Sequence, residues 1–239
     1  MGDLVIITGA SSGLGLGLAG STPFPASVYD VSRSGPPDPA VEHIPADLSV
    51  PASWAEVSDV IDRLIAEHEP RRAVFVHAAG TLEPIGFAGE VEAGPYTDNV
   101  ILNSAAGQVL GHAFLRSLQG REGSFDLVMI TSGAARSPYP GWSAYGAGKA
   151  ALDQWVRTVG AEQRQRGGVR VSSIAPGVLA TSMQARIRET ESRNFPEVAR
   201  FHALHEESAL VDPNDAAERI WQVIERGIES GSVIDIRDA

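Results

Sequence analysis

The chain of 239 residues contains no cysteine. Disulfides, thiolate metal sites and cysteine nucleophiles are thereby excluded, and the absence fits a reducing compartment. No apolar run approaches the ~20 residues of a membrane span. Leu4-Val5-Ile6-Ile7 is too short for the apolar core of a signal peptide, and Gly2 is not followed by a Ser or Thr at the sixth position, as myristoylation requires. Positive charge is scarce: 19 Lys and Arg stand against 30 Asp and Glu, a formal net charge of −11. Nucleic acids and anionic membranes select clustered Lys and Arg, so neither is expected as a partner, and a cytoplasmic protein is the expectation. Two basic pairs, Arg71-Arg72 and Arg164/Arg166, read as solvated helix ends. His202 and His205 stand three apart beside Glu206, in a charged stretch without a further ligand set, so no metal site is expected.

What is present is ordinary for one α/β domain: 43% hydrophobic and 21% charged residues over a length that buries a sizeable core. Short apolar, β-branched runs read as strands at 4–7, 27–29, 41–44, 73–76, 127–130, 169–174 and 233–236. Helical patterns lie between them. Residues 51–67 open on Ser49 and Pro51 and repeat apolar residues at Trp54, Val57, Ile61, Leu64 and Ile65; residues 96–118, 143–165 and 213–225 read likewise. Strands that alternate with helices pair in parallel through right-handed crossovers. The expectation is one domain over 1–239, seven parallel strands between two layers of helices. Two stretches are irregular: the Pro-rich loop 34–39, and 181–207, polar, charged, interrupted by Pro196 and long enough to be a substrate lid.

Thr8-Gly9-Ala10-Ser11-Ser12-Gly13-Leu14-Gly15 follows the first strand at once. A strand that runs through a glycine-rich turn into a helix lets backbone N–H groups approach a pyrophosphate, and the helix N-terminus favours its charge. Gly15-Leu16-Gly17-Leu18-Ala19-Gly20 matches a better-known glycine pattern letter for letter, but starts too far past the strand end. Tyr145-Gly146-Ala147-Gly148-Lys149 places a phenol and an ammonium four apart, on one helix face. A phenol has an ordinary pKa of about 10 and is a poor acid–base group near neutrality; an adjacent ammonium lowers it.

At these residues the chain resembles the classical short-chain dehydrogenase/reductase family, and the resemblance runs over essentially its whole length. It implies a Rossmann-type, doubly wound α/β fold and a nicotinamide dinucleotide seated on Gly9, Ser11, Ser12, Gly13, Leu14 and Gly15. Asp47 and Leu48 match the family's adenine contacts. His77-Ala78-Ala79-Gly80 stands where the family carries N-N-A-G; Ala78, Ala79 and Gly80 keep the docking backbone, and His77 reads as a structural group bonded to a neighbouring loop. Pro176-Gly177-Val178-Leu179-Ala180-Thr181 matches P-G-x-x-x-T, so Pro176, Gly177, Val178 and Thr181 are expected at the nicotinamide. At the end of the second strand, Ser32 followed by Arg33 implies room and a cation for the 2′-phosphate of NADP, favoured over NAD, with Asp30 the alternative selector and Ser12 lacking the basic side chain many NADP-dependent members carry there.

The same resemblance implies a catalytic group of Asn103, Ser132, Tyr145 and Lys149. Ser132 and Tyr145 would polarise a carbonyl oxygen, Tyr145 would supply the proton, Lys149 would lower the phenol pKa and hold the nicotinamide ribose, and Asn103 would kink its helix, hold a water leading to Lys149 and complete a proton path to solvent. The stretch 132–145, with Met183 and the residues after it, is similar to the benzil reductase and sepiapterin reductase subgroup. It implies a small-molecule carbonyl substrate, a hydrophobic or aromatic ketone or diketone, with a pterin side chain or a non-catalytic NADP sensor as alternatives. Ser132, Tyr139, Trp142 and Met183 are the candidate substrate contacts, Tyr139 and Trp142 reading equally as loop packing. The family implies a homodimer or homotetramer through the helices starting near Tyr96 and Ser143; the first carries Ser104, Ala105, Ala106, Gly107, Gly111 and Ala113, small enough for close helix approach.

Overall fold

A computed structural model describes residues 2–238. Seven strands build one sheet in the order β3-β2-β1-β4-β5-β6-β7: β1 (Asp3–Thr8), β2 (Ala26–Ser32), β3 (Glu42–Pro45), β4 (Arg72–His77), β5 (Ser124–Ile130), β6 (Arg170–Ala175) and β7 (Val233–Asp235). Every pairing is parallel, as the alternation of strands and helices predicts. The chain starts at the centre on β1, winds outward to β3, crosses back to β4 and runs to the other edge.

The two-residue period of each strand sorts its side chains between two cores. Leu4 and Ile6 of β1 join Phe75, Leu127, Met129 and Val171 on one face, under α2 (Ser53–His68), α4 (Gly107–Ser117) and α5 (Ser143–Arg166). Val5 and Ile7 join Val74, Val76, Val128, Ile130 and Ile174 on the other, under α1 (Gly13–Gly20) and α8 (Pro213–Arg226). Central strands buried on both faces need unbroken apolar runs, which is why these segments do not alternate in polarity. Trp221 of α8 is buried and donates its indole N–H to the Leu18 carbonyl at 3.0 Å, locking α8 to α1. Asp212 caps α8 by accepting the Asn214 amide at 2.8 Å.

Three readings of the sequence change. The helix expected over 96–118 is three pieces: α3 (Ala93–Val100), a π-helical turn Ile101–Ala106, and α4. Four of its small residues pack the chain's own core: Ala106 and Ala113 are buried, a Cβ on Gly107 would lie 2.7 Å from His77 Cδ2, and one on Gly111 2.8 Å from the Trp155 ring. Val100 and Val109 are its exposed apolar residues. The stretch 181–207 contains two helices, α6 (Ser182–Arg188) and α7 (Val198–Glu206), anchored by Ile187, Phe195, Val198 and Phe201 in a third apolar cluster with Trp142 and Tyr145. Arg72 opens β4 instead of ending a helix; its guanidinium lies 3.6 Å above the Phe24 ring and pairs with Glu225. Arg164 and Arg166 are exposed in the last turn of α5, as expected, with Arg164 also bonding the Ser230 carbonyl. His202 and His205 are exposed, and among the described residues no three His, Asp or Glu side chains gather as a metal would need. Among the same residues, no helix is long and apolar enough to cross a membrane.

Candidate active site

The carboxyl ends of the strands, where a doubly wound sheet changes winding direction, open into a cleft of about 620 Å³. The glycine turn, Ser32-Arg33, Asp47-Leu48, Ala78-Ala79-Gly80, Ser132, Tyr139, Trp142, Tyr145, Lys149, Pro176-Gly177-Val178, Thr181 and Met183 all line it. Of the four expected catalytic residues, Asn103 does not.

The cleft has the form a dinucleotide requires. Gly9 sits at φ +80 with its Cα so close to β4's exit that a Cβ would lie 2.9 Å from Ala79 Cα, and a Cβ on Gly15 would lie 2.2 Å from the Gly9 carbonyl oxygen. Side chains at either position would push the turn away from the sheet. Ser12 precedes α1 without a side-chain cap, and Gly13, Leu14 and Gly15 of its first turn line the cleft, so the helix start is open to an anion. Thr8, below the turn, accepts the Ala79 amide at 3.2 Å and shares a hydrogen bond of 2.9 Å with His77 Nδ1. His77 thus ties β4 to β1, a structural role, with a strand residue as its partner and not the neighbouring loop that was expected. It is fully buried, and burial, with the Lys149 charge nearby, pushes its pKa down to about 3, the Leu102 carbonyl opposing weakly.

At the end of β2, Asp30 is fully buried, and its carboxylate accepts the Ala10 amide at 2.7 Å and the Ser32 hydroxyl at 2.5 Å. Asp30 does not line the cleft, whereas Ser32 and the exposed Arg33 do. Asp47 accepts the Ser49 hydroxyl at 2.7 Å; that bond, with the Arg33 charge adding to it, holds its carboxyl below the usual range against a smaller opposing effect of burial.

The acid–base group stands on α5. Tyr145 and Lys149 share one face, both buried. Lys149 Nζ donates to the Ile130 carbonyl at 2.9 Å and lies 5.8 Å from the Tyr145 ring centre. Burial lowers its pKa to about 8, and the Asp153 charge one turn further along opposes that fall. The Tyr145 phenol shifts upward, because burial penalises the phenolate more than the Ser132 hydroxyl bond favours it. The expected lowering by Lys149 is therefore not what this enclosure produces: Tyr145 is held neutral, with its proton in place. Ser132 follows β5 and accepts the Ala134 amide at 3.2 Å.

Asn103 lies in the π-helical turn, behind Gly80. Its amide donates to the Thr81 carbonyl at 2.7 Å and to Asn99 Oδ1 at 2.8 Å, and its oxygen accepts the Thr81 amide at 3.2 Å. The side chain is spent on the loop after Gly80. Glycine at 80 and 148 admits it: a Cβ on Gly80 would lie 2.8 Å from Asn103 Oδ1, and one on Gly148 2.8 Å from Asn103 Cβ.

Beyond Ser132 and Tyr145 the cleft is aromatic. Trp142 stacks on Phe195 at 4.5 Å between ring centres, Tyr139 lies 5.0 Å from Trp142, and Phe201 closes the group. Tyr139 and Trp142 therefore both line the cleft and pack the loop. Gln184, in the segment after Met183 read as the substrate loop, lines the cleft too; reading the sequence alone missed Leu82, Arg200, Arg237 and the buried Asp235. The apolar spacing of Ile187, Phe195 and Phe201 was the available signal for this wall; nothing local marks Arg200 or Arg237.

A parallel sheet with a glycine-rich turn at one end of its cleft and a buried Tyr-Lys pair beside a serine at the other defines an oxidoreductase acting on a carbonyl or CH–OH group with a nicotinamide dinucleotide. Residues 28–192, which include the serine, tyrosine and lysine, match the short chain dehydrogenase family, and the chain belongs to that family. It is 33% identical over 249 residues to a benzil reductase ((S)-benzoin forming) of Bacillus subtilis, covering 99% of each chain. It is 30% identical over 255 residues to the sepiapterin reductase of Mus musculus, covering 98% of this chain and 96% of that one. A crystal structure of a short chain dehydrogenase/reductase from Saccharomyces cerevisiae superposes with a TM-score of 0.85 at 24% identity, covering 99% of this chain and 97% of that one, a likeness of fold.

Proposed function

We propose that the chain is an NADPH-dependent reductase of hydrophobic or aromatic ketones and diketones, working as one domain over 1–239 with 181–207 as the substrate wall. The observation that carries this reading is the placing of Ser132 and Tyr145 against the aromatic wall of Tyr139, Trp142 and Phe201, in the cleft that holds the glycine turn. The bound dinucleotide supplies the hydride. Ser132 and Tyr145 donate hydrogen bonds to the substrate oxygen and stabilise the charge that develops on it. Tyr145, neutral because it is buried, releases its phenolic proton to that oxygen; Lys149, charged below about pH 8, then faces the phenolate and favours it. Asn103 positions the segment after Gly80. Met183, exposed on α6, covers the mouth. Arg33 and the small Ser32 support NADP over NAD, since a guanidinium pairs with a phosphate and has no such partner on a ribose hydroxyl. The similarity to a benzil reductase supports the diketone substrate class. The test is cofactor oxidation at 340 nm with NADPH, against NADH as control, across aryl ketones, α-diketones, aliphatic ketones and a pterin ketone. Turnover of α-diketones above the rest supports the reading; activity confined to aliphatic ketones or to NADH overturns it.

A further inference from the structure

Asp30 and Ser32 form a network whose hydrogen positions can be assigned. Oδ2 of Asp30 takes two partners, the Ser32 hydroxyl at 2.5 Å and His43 Nδ1 at 2.9 Å. A carboxylate oxygen is an acceptor, so His43 carries its hydrogen on Nδ1 and Ser32 points its only proton inward. The Ser32 oxygen also accepts the Gly35 amide at 3.1 Å. What Ser32 has left for the cleft is a lone pair, with a carboxylate one hydrogen bond behind it. That arrangement suits a ribose hydroxyl, which can donate, and opposes a phosphate dianion, which cannot. Arg33 must overcome this opposition for a phosphate to bind. His43, on β3 with its side chain 28% exposed, is the group that offsets Asp30. Its ring also fills the space under the turn: Gly35 sits at φ +71, and a Cβ there would lie 3.0 Å from His43 Cγ.

We infer that His43 is a specificity-determining residue for the cofactor: its Nδ1–H offsets the buried Asp30 carboxylate, so that the end of the cleft at Ser32 and Arg33 accepts a 2′-phosphate. The inference rests on the NADP reading above.

Its test is calorimetric binding of two fragments to the full chain, 2′,5′-ADP and 5′-AMP, which differ only in the 2′-phosphate and need no turnover. The wild-type and Arg33→Ala arms examine the NADP reading: the wild type should favour 2′,5′-ADP and the variant should lose that preference. The His43 arms are separate. His43→Ala should weaken 2′,5′-ADP by about two- to fivefold, the range for a partly exposed polar pair, with 5′-AMP unchanged. His43→Phe, which keeps a ring under Gly35 but has no donor, should behave as His43→Ala does. Asp30→Asn in the His43→Ala background should restore 2′,5′-ADP binding, because the carboxylate is gone and the new amide can donate to Ser32, freeing its proton for the cleft. A wild type without preference overturns both the NADP reading and the inference. A preserved preference in His43→Ala, an equal loss of both fragments, or rescue by Phe overturns the inference alone.

Discussion

His77 should make the protein acid-sensitive by an amount that one substitution removes. The side chain is fully buried between β4 and Gly107, and its pKa falls from 6.5 to about 3. Because the folded value lies below the unfolded one, the unfolded chain binds more protons through this interval. The contribution to stability is therefore whole above pH 6.5 and is lost as pH falls toward 3. Integrated over the whole shift it amounts to roughly 5 kcal/mol, of which about 2 kcal/mol is gone by pH 5 and about 4 kcal/mol by pH 3. Against a total stability of about 5–15 kcal/mol, that is a large fraction. His77→Asn keeps a polar group that can meet the Thr8 hydroxyl and does not titrate. Urea unfolding of both proteins at pH 7 and pH 5 isolates the effect, since the smaller side chain lowers stability alike at both values while the titration acts only on the wild type. The wild type should lose about 2 kcal/mol more than the variant across this interval. Parallel losses would show that His77 accepts its proton in the folded state and that the buried-neutral reasoning is wrong.

Tyr145→Phe should retain cofactor binding by fluorescence titration and lose turnover by about 100-fold or more, the scale of a positioned proton donor; an unchanged rate would remove Tyr145 from the mechanism. Gly148→Ala should cost about 1–3 kcal/mol in chemical unfolding, because the added methyl meets Asn103 at 2.8 Å, and unchanged stability would mean the π-helical turn is free to shift. Light scattering should give a mass of at least two chains at micromolar concentration, with Val100→Asp and Val109→Asp reducing it to one; a wild-type mass near 25.2 kDa would refute association through this helix.

The centre of the fold was legible because parallel strands buried on both faces leave runs such as Leu4–Ile7 and Ala73–Val76, which no solvated element would carry. The edges were less so. β3, read over 41–44, forms over Glu42–Pro45, where it pairs with Tyr29–Ser32 of β2, a partner outside its own segment. The break in the helix around Asn103 leaves no helix-breaking residue in the sequence and was legible only through the family resemblance, which implies a kink there; Asn103 bonds Thr81 across the chain. The glycine turn and the Tyr145/Lys149 pair were readable because their spacing is local. The cleft's aromatic wall was legible in its members and not in its packing: Tyr139 and Trp142 read as substrate contacts and the segment after Met183, with Phe195 and Phe201, as the substrate loop, but the burial of Phe195 and Phe201 depends on how α6 and α7 fold. The direction of the Tyr145 shift was misjudged for the same reason, since a spacing of four residues shows the ammonium and not the enclosure.

That enclosure also explains why a histidine is compatible with the end of β4. Lys149 and His77 occupy one buried region, and each raises the cost of charging the other. Lys149 has compensation: the Ile130 carbonyl accepts its proton at 2.9 Å, and Asp153, itself bonded by Ser173 at 2.9 Å, favours its charge. His77 has the Thr8 hydroxyl at Nδ1, and its Nε2 finds no partner of good geometry, so nothing comparable supports a charge there. The burden of desolvation therefore falls unequally, driving one group to about 3 and leaving the other at about 8. Between those values the region holds a single positive charge, on the side facing Tyr145. The neutral imidazole is left to hold Thr8, and through it the Ala79 amide and the strand end from which the glycine turn departs.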